Sequence, residues 1–276
     1  MKKTAILVAK FAGVWLALII GQIAGGLVGQ MVTPGVVQAF KPDGPFDLMT
    51  AMVLSSALYA LILSAMTARM RWTFQGRALT VFILLYVLES GLSEIEALYF
   101  NSYLHMSNSL LTQMAIGNLV KSAIVAVVCA WLWRGEAQPA EPLSGLAWKI
   151  PVIISLYVVF YFGAGALIAW QSADVRAYYA QGFHIDQGQL ALLQVGRGLI
   201  WALLAWLSVT SLTGGVWRRA LLTGAAFSLL MALPLLYPNP LMPWAVRHVH
   251  LIEVGVSNFL FGILASLILL SGRKLR

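Results

Sequence analysis

Charge is what this 276-residue chain has least of: Lys, Arg, Asp and Glu together make up 10% of it, against about 25% in an average soluble protein. Hydrophobic residues make up 60%, and the mean hydropathy is +0.83. A chain this poor in charge cannot dress itself in a hydrated surface, which excludes a cytosolic enzyme, a disordered chain and a soluble nucleic-acid binder together. Cysteine is nearly absent too. The single Cys129 lies in an apolar run and allows neither an internal disulfide nor a multi-cysteine metal site. Three motif classes are missing: a phosphate-binding GxxxxGK[ST] loop, a G-x-S-x-G nucleophile elbow and an H-E-x-x-H metal helix. So is the paired Glu-Glu-x-x-x-Arg of intramembrane CAAX-type proteases.

What is present is a succession of apolar runs. About 20 apolar residues cross a hydrocarbon core of about 30 Å as one helix, and eight stretches qualify: 11–32, 47–68, 79–100, 111–133, 150–170, 189–211, 219–237 and 250–271. The first follows Met1-Lys2-Lys3 and superficially resembles a secretory signal. At 22 residues it exceeds the roughly 7–15 of a cleavable core and lacks a small-x-small cleavage site, so a retained span is expected. No alternating strand pattern competes, and backbone satisfaction in lipid then requires an all-α bundle of eight transmembrane helices.

The net charge of +8 is not gathered on one face, as phosphate binding would need, but parcelled out in twos and threes between apolar runs. Nucleic acid is therefore not an expected partner; the lipid bilayer is. Thirteen cations fall on one side (Lys2, Lys3, Lys10, Arg69, Arg71, Arg77, Arg134, Lys149, Arg218, Arg219, Arg273, Lys274, Arg276). Three fall on the other (Lys41, Arg176, Arg247). That bias predicts cytoplasmic N- and C-termini in a bacterial-type plasma (inner) membrane. Trp72, Trp131, Trp133, Trp148 and Trp217 mark the inner interface, and Tyr99, Trp170, Tyr237 and Trp244 the outer.

The polar, Pro-containing linker 135–149 divides the chain into a first four-helix half, 1–134, and a second, 150–276. The halves resemble each other. A shift of 142 lays Arg77-Ala78-Leu79 on Arg219-Ala220-Leu221, Ala60-Leu61 on Ala202-Leu203, Tyr59 on Trp201 and Trp15 on Tyr157. A shift of 140 lays Leu111 on Leu251 and Asn118 on Asn258. With an even number of spans in each half, the expectation is a 4+4 parallel tandem repeat.

Ionisable groups inside a bilayer are expensive and mark function by default. Glu89, Lys121 and Arg197 sit deep within spans. If the third and fourth spans turn near His105, Glu89 lies 16 residues before the turn and Lys121 16 after it, at one depth. Arg197 falls at a similar level, with Gly163 and Gly165 expected opposite it. These place one carboxylate and two cations near the midplane, a site for substrate or for a coupling ion with a preference for anions. The plainer account is a neutralising pair plus an Arg snorkelling to the interface. A second candidate lies at the outer end of the eighth span, Arg247-His248-Val249-His250-Leu251-Ile252-Glu253. There His250, Glu253 and Ser257 share a helix face. His248, His250 and Glu253 are weak candidates for a metal ion, and Glu96, His105, Asp174, His184 and Asp186 are available to join them. In the third span Glu89, Ser93 and Glu96 share a face, with Glu94 turned elsewhere. Gly21, Gly25 and Gly29 have the small-x-x-x-small spacing of close helix packing.

Substrate or coupling residues are thus expected among Glu89, Glu96, Lys121, Arg197, Arg247, His250, Glu253 and Asn258. The function they suggest is a permease or ion-coupled transporter of a small solute. Two alternatives stand beside it: a membrane-embedded metal-assisted hydrolase or transferase working on a lipid-linked substrate through Glu96, His248, His250 and Glu253, and a non-catalytic subunit of a membrane complex. No cofactor and no oligomeric state can be read from the residues.

Overall fold

The computed structural model describes residues 2–36, 43–139, 142–180 and 186–272. Among them it is all-helical, and eight helices are long and apolar enough to cross a membrane: Lys2–Val32, Leu48–Thr67, Phe74–Tyr99, Asn108–Leu132, Leu146–Gln171, Gln187–Ser211, Val216–Leu236 and Trp244–Leu270. These are the first to eighth spans below. Several begin earlier than their apolar runs, because a helix continues into the interface until a capping residue ends it. Asp47 accepts from Thr50 N at 2.7 Å, Ser107 from Leu110 N at 3.1 Å, and Asp186 from Gly188 N and Gln189 N at 2.8 and 3.0 Å. Leu7, Leu16, Ile20, Ile23, Leu27, Leu61, Leu192 and Leu203 are all more than half exposed or nearly so, the apolar outer face of a multi-pass membrane protein.

The helices form two compact units. Met1–Gln138 with Leu236–Pro243 make the first, and Pro139–Leu235 with Trp244–Arg276 the second. The first unit differs from the half 1–134 in two respects: it runs on to Gln138, and it includes Leu236–Pro243, from the end of the seventh span to the start of the eighth.

In the first unit the first span packs along the fourth, and glycines set the distance. A Cβ on Gly25 would lie 2.1 Å from the Gly117 carbonyl oxygen, one on Gly21 would meet the Lys121 backbone at 3.2 Å, and one on Gly29 the Gln113 carbonyl oxygen at 2.8 Å. The 21/25/29 spacing therefore brings two backbones into direct apposition, since i and i+4 share a face. The first span also pairs with the second, where Trp15 Nε1 donates to Val53 O at 3.3 Å, and the third pairs with the fourth.

In the second unit the seventh and eighth spans meet through Gly224 and Gly262. A Cβ on Gly224 would stand 2.6 Å from Phe259 O, and one on Gly262 2.7 Å from Gly224 Cα. The fifth span packs on the sixth and on the eighth, around buried Tyr157, Trp201, Phe227 and Phe261, whose rings lie 4.8 to 6.3 Å apart.

Several basic residues that set the charge bias are buried helix caps. Arg77 donates through Nε to Trp72 O (2.7 Å), through Nη2 to Met70 O (2.7 Å), and through Nη1 to Thr67 O (3.2 Å) and to Trp133 O. It thereby answers the orphan carbonyls where the second and fourth spans end. Arg219 donates Nε to Gly214 O at 2.9 Å, five residues back, as Arg77 does to Trp72. Lys149 Nζ reaches Leu269 O and Ser271 O, at 3.0 and 2.9 Å, at the end of the eighth span.

Candidate functional site

Glu89 and Lys121 form a buried ion pair, with Lys121 Nζ 2.6 Å from Glu89 Oε1 and side chains 3% and 7% exposed for Lys and Glu. The same ammonium donates to Gln22 Oε1 of the first span at 2.9 Å. Gln22 reaches it because Gly21 and Gly25 let the first span lie against the fourth. The buried phenol of Tyr59, from the second span, lies close enough to Glu89 to interact with it. Glu89 Oε2 is buried without a hydrogen-bond partner.

Glu89 sits in an irregular stretch. Val87–Gly91 is a single π-helical turn inside the third span, closed by Leu92 N on Val87 O. A π turn inserts one residue into an α-helix and is found often at functional sites, because it displaces a side chain that regular geometry would aim elsewhere. It also alters the faces that α-periodicity assigns beyond it. Glu94, expected to turn away, accepts from Ser90 Oγ, and Ser90 in turn accepts from Asn118 Nδ2 of the fourth span at 3.1 Å. Glu96 is partly buried in the same helix.

Tyr237, from the segment Leu236–Pro243, adds a last member to this unit. Its hydroxyl is 2.7 Å from Ser55 Oγ of the second span. Burial pushes its phenol up to about 12, with the nearby Glu89 charge adding to the rise and the Ser55 bond opposing it, so the group stays protonated. Glu89, Lys121, Gln22, Tyr59, Ser55 and Tyr237 thus bring four spans and one loop to a single polar centre.

Arg197 belongs to the second unit. It is buried, donates Nη1 to Gln194 Oε1 at 3.0 Å and lies 5.9 Å over the Tyr161 ring. Tyr157 OH donates to the same Gln194 oxygen at 3.1 Å. The expected small residues are not its neighbours. Gly163 would meet nothing within 4 Å, and Gly165 faces Glu253 and Trp170. Gly198 is the glycine that admits the fifth span, its Cβ position lying 3.2 Å from Ile154 Cγ2 and Tyr157 Cδ1. Counting residues from a turn gives the level of a side chain but not its direction around the helix. Gln194 Nε2 and Trp201 Nε1 are buried donors with no acceptor, each an arrangement that costs about 1–3 kcal/mol if left unmet.

At the head of the eighth span His250 Nδ1 is 2.6 Å from Glu253 Oε2, and its Nε2 is 3.3 Å from Tyr179 OH of the short helix Ala173–Tyr179. Both ring nitrogens are therefore engaged. Ser257 turns to its own helix, donating to Val254 O at 3.4 Å, and His248 Nδ1 pairs with Trp244 O at 2.8 Å. Arg247, counted as an outer-loop cation, is fully buried, donating to Leu235 O at 3.3 Å beneath the Trp244 ring. Asp186 is spent as a helix cap, and His105 ends the short helix Asn101–Leu104 in the left-handed region, φ 50°. Asp174 is exposed in the first turn of Ala173–Tyr179, and Asn258 is partly buried. His184 and Lys41 lie outside the described residues. Among the described residues no three of His, Cys, Asp and Glu are grouped to hold a metal ion.

Gln22, Ser90, Gln194 and Tyr179 were not singled out by sequence, and Tyr59 and Tyr237 were named there only for the repeat and the interface, not for a site. A signal existed for two of them: Gln22 interrupts the glycine stripe, and Gln194 stands three residues before Arg197 on one helix face.

The fold and its buried charges define a multi-pass helical membrane protein. No family model matches the chain, and neither the curated proteins nor the solved structures include a match to it.

Proposed function

We propose that this chain is a permease or ion-coupled transporter of a small solute, seated in a bacterial-type inner membrane with both termini cytoplasmic and built as a 4+4 repeat. The observation that carries the reading is the Glu89–Lys121 pair, held deep within spans at a π turn and joined by Gln22 and Tyr59. A bundle that only needed to be stable would gain by replacing such a pair with packed apolar residues of similar volume. An exchangeable carboxylate, by contrast, needs a cation that stabilises its ionised form and releases it on protonation. Glu89 is the coupling carboxylate, and Lys121 is the cation that pairs with it and favours an anionic partner.

Two features support the repeat. Each unit pairs its first span with its second and fourth, and its third with its fourth. Arg77 and Arg219, matched by the shift of 142, cap equivalent turns with the same five-residue reach. The enzymatic alternative has less behind it, since His250 spends one ring nitrogen on Glu253 and the other on Tyr179, and His248 is turned to Trp244.

The test is flux. Full-length protein in proteoliposomes carrying an internal pH dye is exposed to a panel of amino acids, short carboxylic acids and inorganic anions across a pH gradient. The wild type is expected to move protons with at least one member. Glu89→Gln keeps an oxygen for Lys121, so it inserts and folds but loses the coupled movement. Undiminished coupling in that variant removes Glu89 from the mechanism, and inactivity of the wild type toward every member removes the transport reading.

A further inference from the structure

We propose that the second unit contains an anion-binding site, formed by Gln194, Arg197 and Trp201 on the sixth span and Tyr157 on the fifth. Its ligand is a small acceptor-only anion, a halide or the carboxylate of a small organic acid. The site uses none of the residues around Glu89 and does not rest on the transport reading.

The Gln194 amide has one possible orientation. Arg197 can only donate, and its Nη1 lies 3.0 Å from Gln194, so the atom it meets must be the oxygen. Tyr157 OH donates to that oxygen as well, at 3.1 Å. Turning the amide over would set donor against donor. The two N–H groups of Nε2 are therefore held on the opposite side, in a residue with no exposure, and they meet no acceptor. Seven residues on, Trp201 lies on the same helix face with its indole 1% exposed, and its Nε1 donor is also buried without an acceptor.

Tyr157 binds these two residues into one place. Its hydroxyl is on Gln194 and its ring is stacked on the Trp201 ring at 5.7 Å. The fifth span comes close enough for this because position 198 is glycine: a Cβ there would be 3.2 Å from Tyr157 Cδ1.

Buried polar groups are nearly always satisfied, and a set of orphans of one sign points to an absent partner of the other. Here the orphans are donors, and Arg197, whose guanidinium is bonded to the other end of the Gln194 amide, adds a positive charge beside them. A negatively charged acceptor gains more there than a neutral one, since charge-assisted bonds are roughly twice as strong. The rings of Tyr157, Trp201, Phe227 and Phe261 pack against one another there, an apolar setting in which an unpaired donor is costly.

The experiment is thermal unfolding of the full-length protein in lipid nanodiscs. Chloride, bromide, formate or acetate replaces bulky gluconate at constant ionic strength. The wild type is expected to gain stability saturably with at least one small anion, as a ligand bound only by the folded state must produce. The halide and carboxylate arms then decide between the two sources.

Gln194→Glu supplies the missing acceptor internally beside Arg197. It is expected to unfold at a higher temperature than wild type in gluconate and to show no anion response. Gln194→Met is expected to weaken half-saturation about tenfold, equivalent to ~1.4 kcal/mol. A wild type with equal unfolding temperatures in all five anions overturns the site, its donors then being answered by water. A Gln194→Glu variant that keeps the full anion response overturns it too. Should that variant not fold, Trp201→Phe keeps the ring and removes one donor. It is expected to weaken the response several-fold, and an unchanged response contradicts the assignment. Because unfolding rather than flux is read, failure of the transport assay and failure of this site are separate results.

Discussion

Lys121→Met is expected to lower the stability of the protein by roughly 3–5 kcal/mol, the loss seen when one partner of a buried pair is removed and the other is left as an uncompensated charge. Glu89 would keep its burial and lose the ammonium now 2.6 Å away. Its Oε2 lacks a hydrogen-bond partner, and the Tyr59 phenol would be left as its neighbour without a compensating positive charge. Combining Lys121→Met with Glu89→Gln takes away both charges and should recover most of the stability. The reversed pair, Glu89→Lys with Lys121→Glu, should fold better than either single reversal. Denaturant or thermal unfolding in nanodiscs reads all of these. Equal stability of Lys121→Met and wild type would mean that the pair contributes nothing to the fold.

The second large effect is steric. In Gly25→Ala the new methyl would lie 2.1 Å from the Gly117 carbonyl oxygen and 2.9 Å from its carbon. Both are backbone atoms that cannot swing aside, so the first and fourth spans must separate. Overpacking typically costs about 1–3 kcal/mol, and this variant should fall at or beyond the upper end. The separation would also draw Gln22 off Lys121, where the bond is now 2.9 Å. Gly26→Ala is the internal control. Nothing lies within 4 Å of its Cβ position, and alanine is the better helix former by up to about 1 kcal/mol, so this variant should be neutral or stabilised. Loss of stability in both variants, to the same extent, would contradict the packing described.

The eight spans were legible because length and apolarity are the only requirements lipid imposes on a helix. Their ends were less so. The first helix runs from Lys2 rather than 11, and the eighth from Trp244 rather than 250, since interfacial turns are helical without being apolar. The Glu89–Lys121 contact was within reach of sequence because adjacent antiparallel spans share a depth scale counted from their turn. Gln22 and Tyr59 were not, as no count of residues relates the first or second span to the fourth. The π turn at Val87–Gly91 leaves no sequence signature, whereas the bond from Ser90 to Glu94 is an i, i+4 contact that spacing alone allows. For Arg197 the depth count was usable but the azimuth was unknown, so Gly163 and Gly165 were set opposite it where Tyr157 and Tyr161 lie. Spacing alone found the His250–Glu253 pair, because i and i+3 on one helix are neighbours whatever surrounds them. The reach of Arg77, Arg219 and Lys149 to nearby backbone carbonyls shows a second use for these cations, which a count of charges reads only as orientation.

The proposed transport role requires that Glu89, although buried, exchange a proton in the membrane. A hydrophobic carbodiimide measures this directly, since it couples to carboxyl groups only in their protonated form. The protein in liposomes is treated across acid and alkaline pH, and the peptide carrying Glu89 is quantified by mass spectrometry. The account predicts labelling at Glu89 that falls as pH rises, with inhibition of flux in proportion to labelling. An unlabelled Glu89 at every pH, in protein whose proton-coupled flux persists, would contradict it.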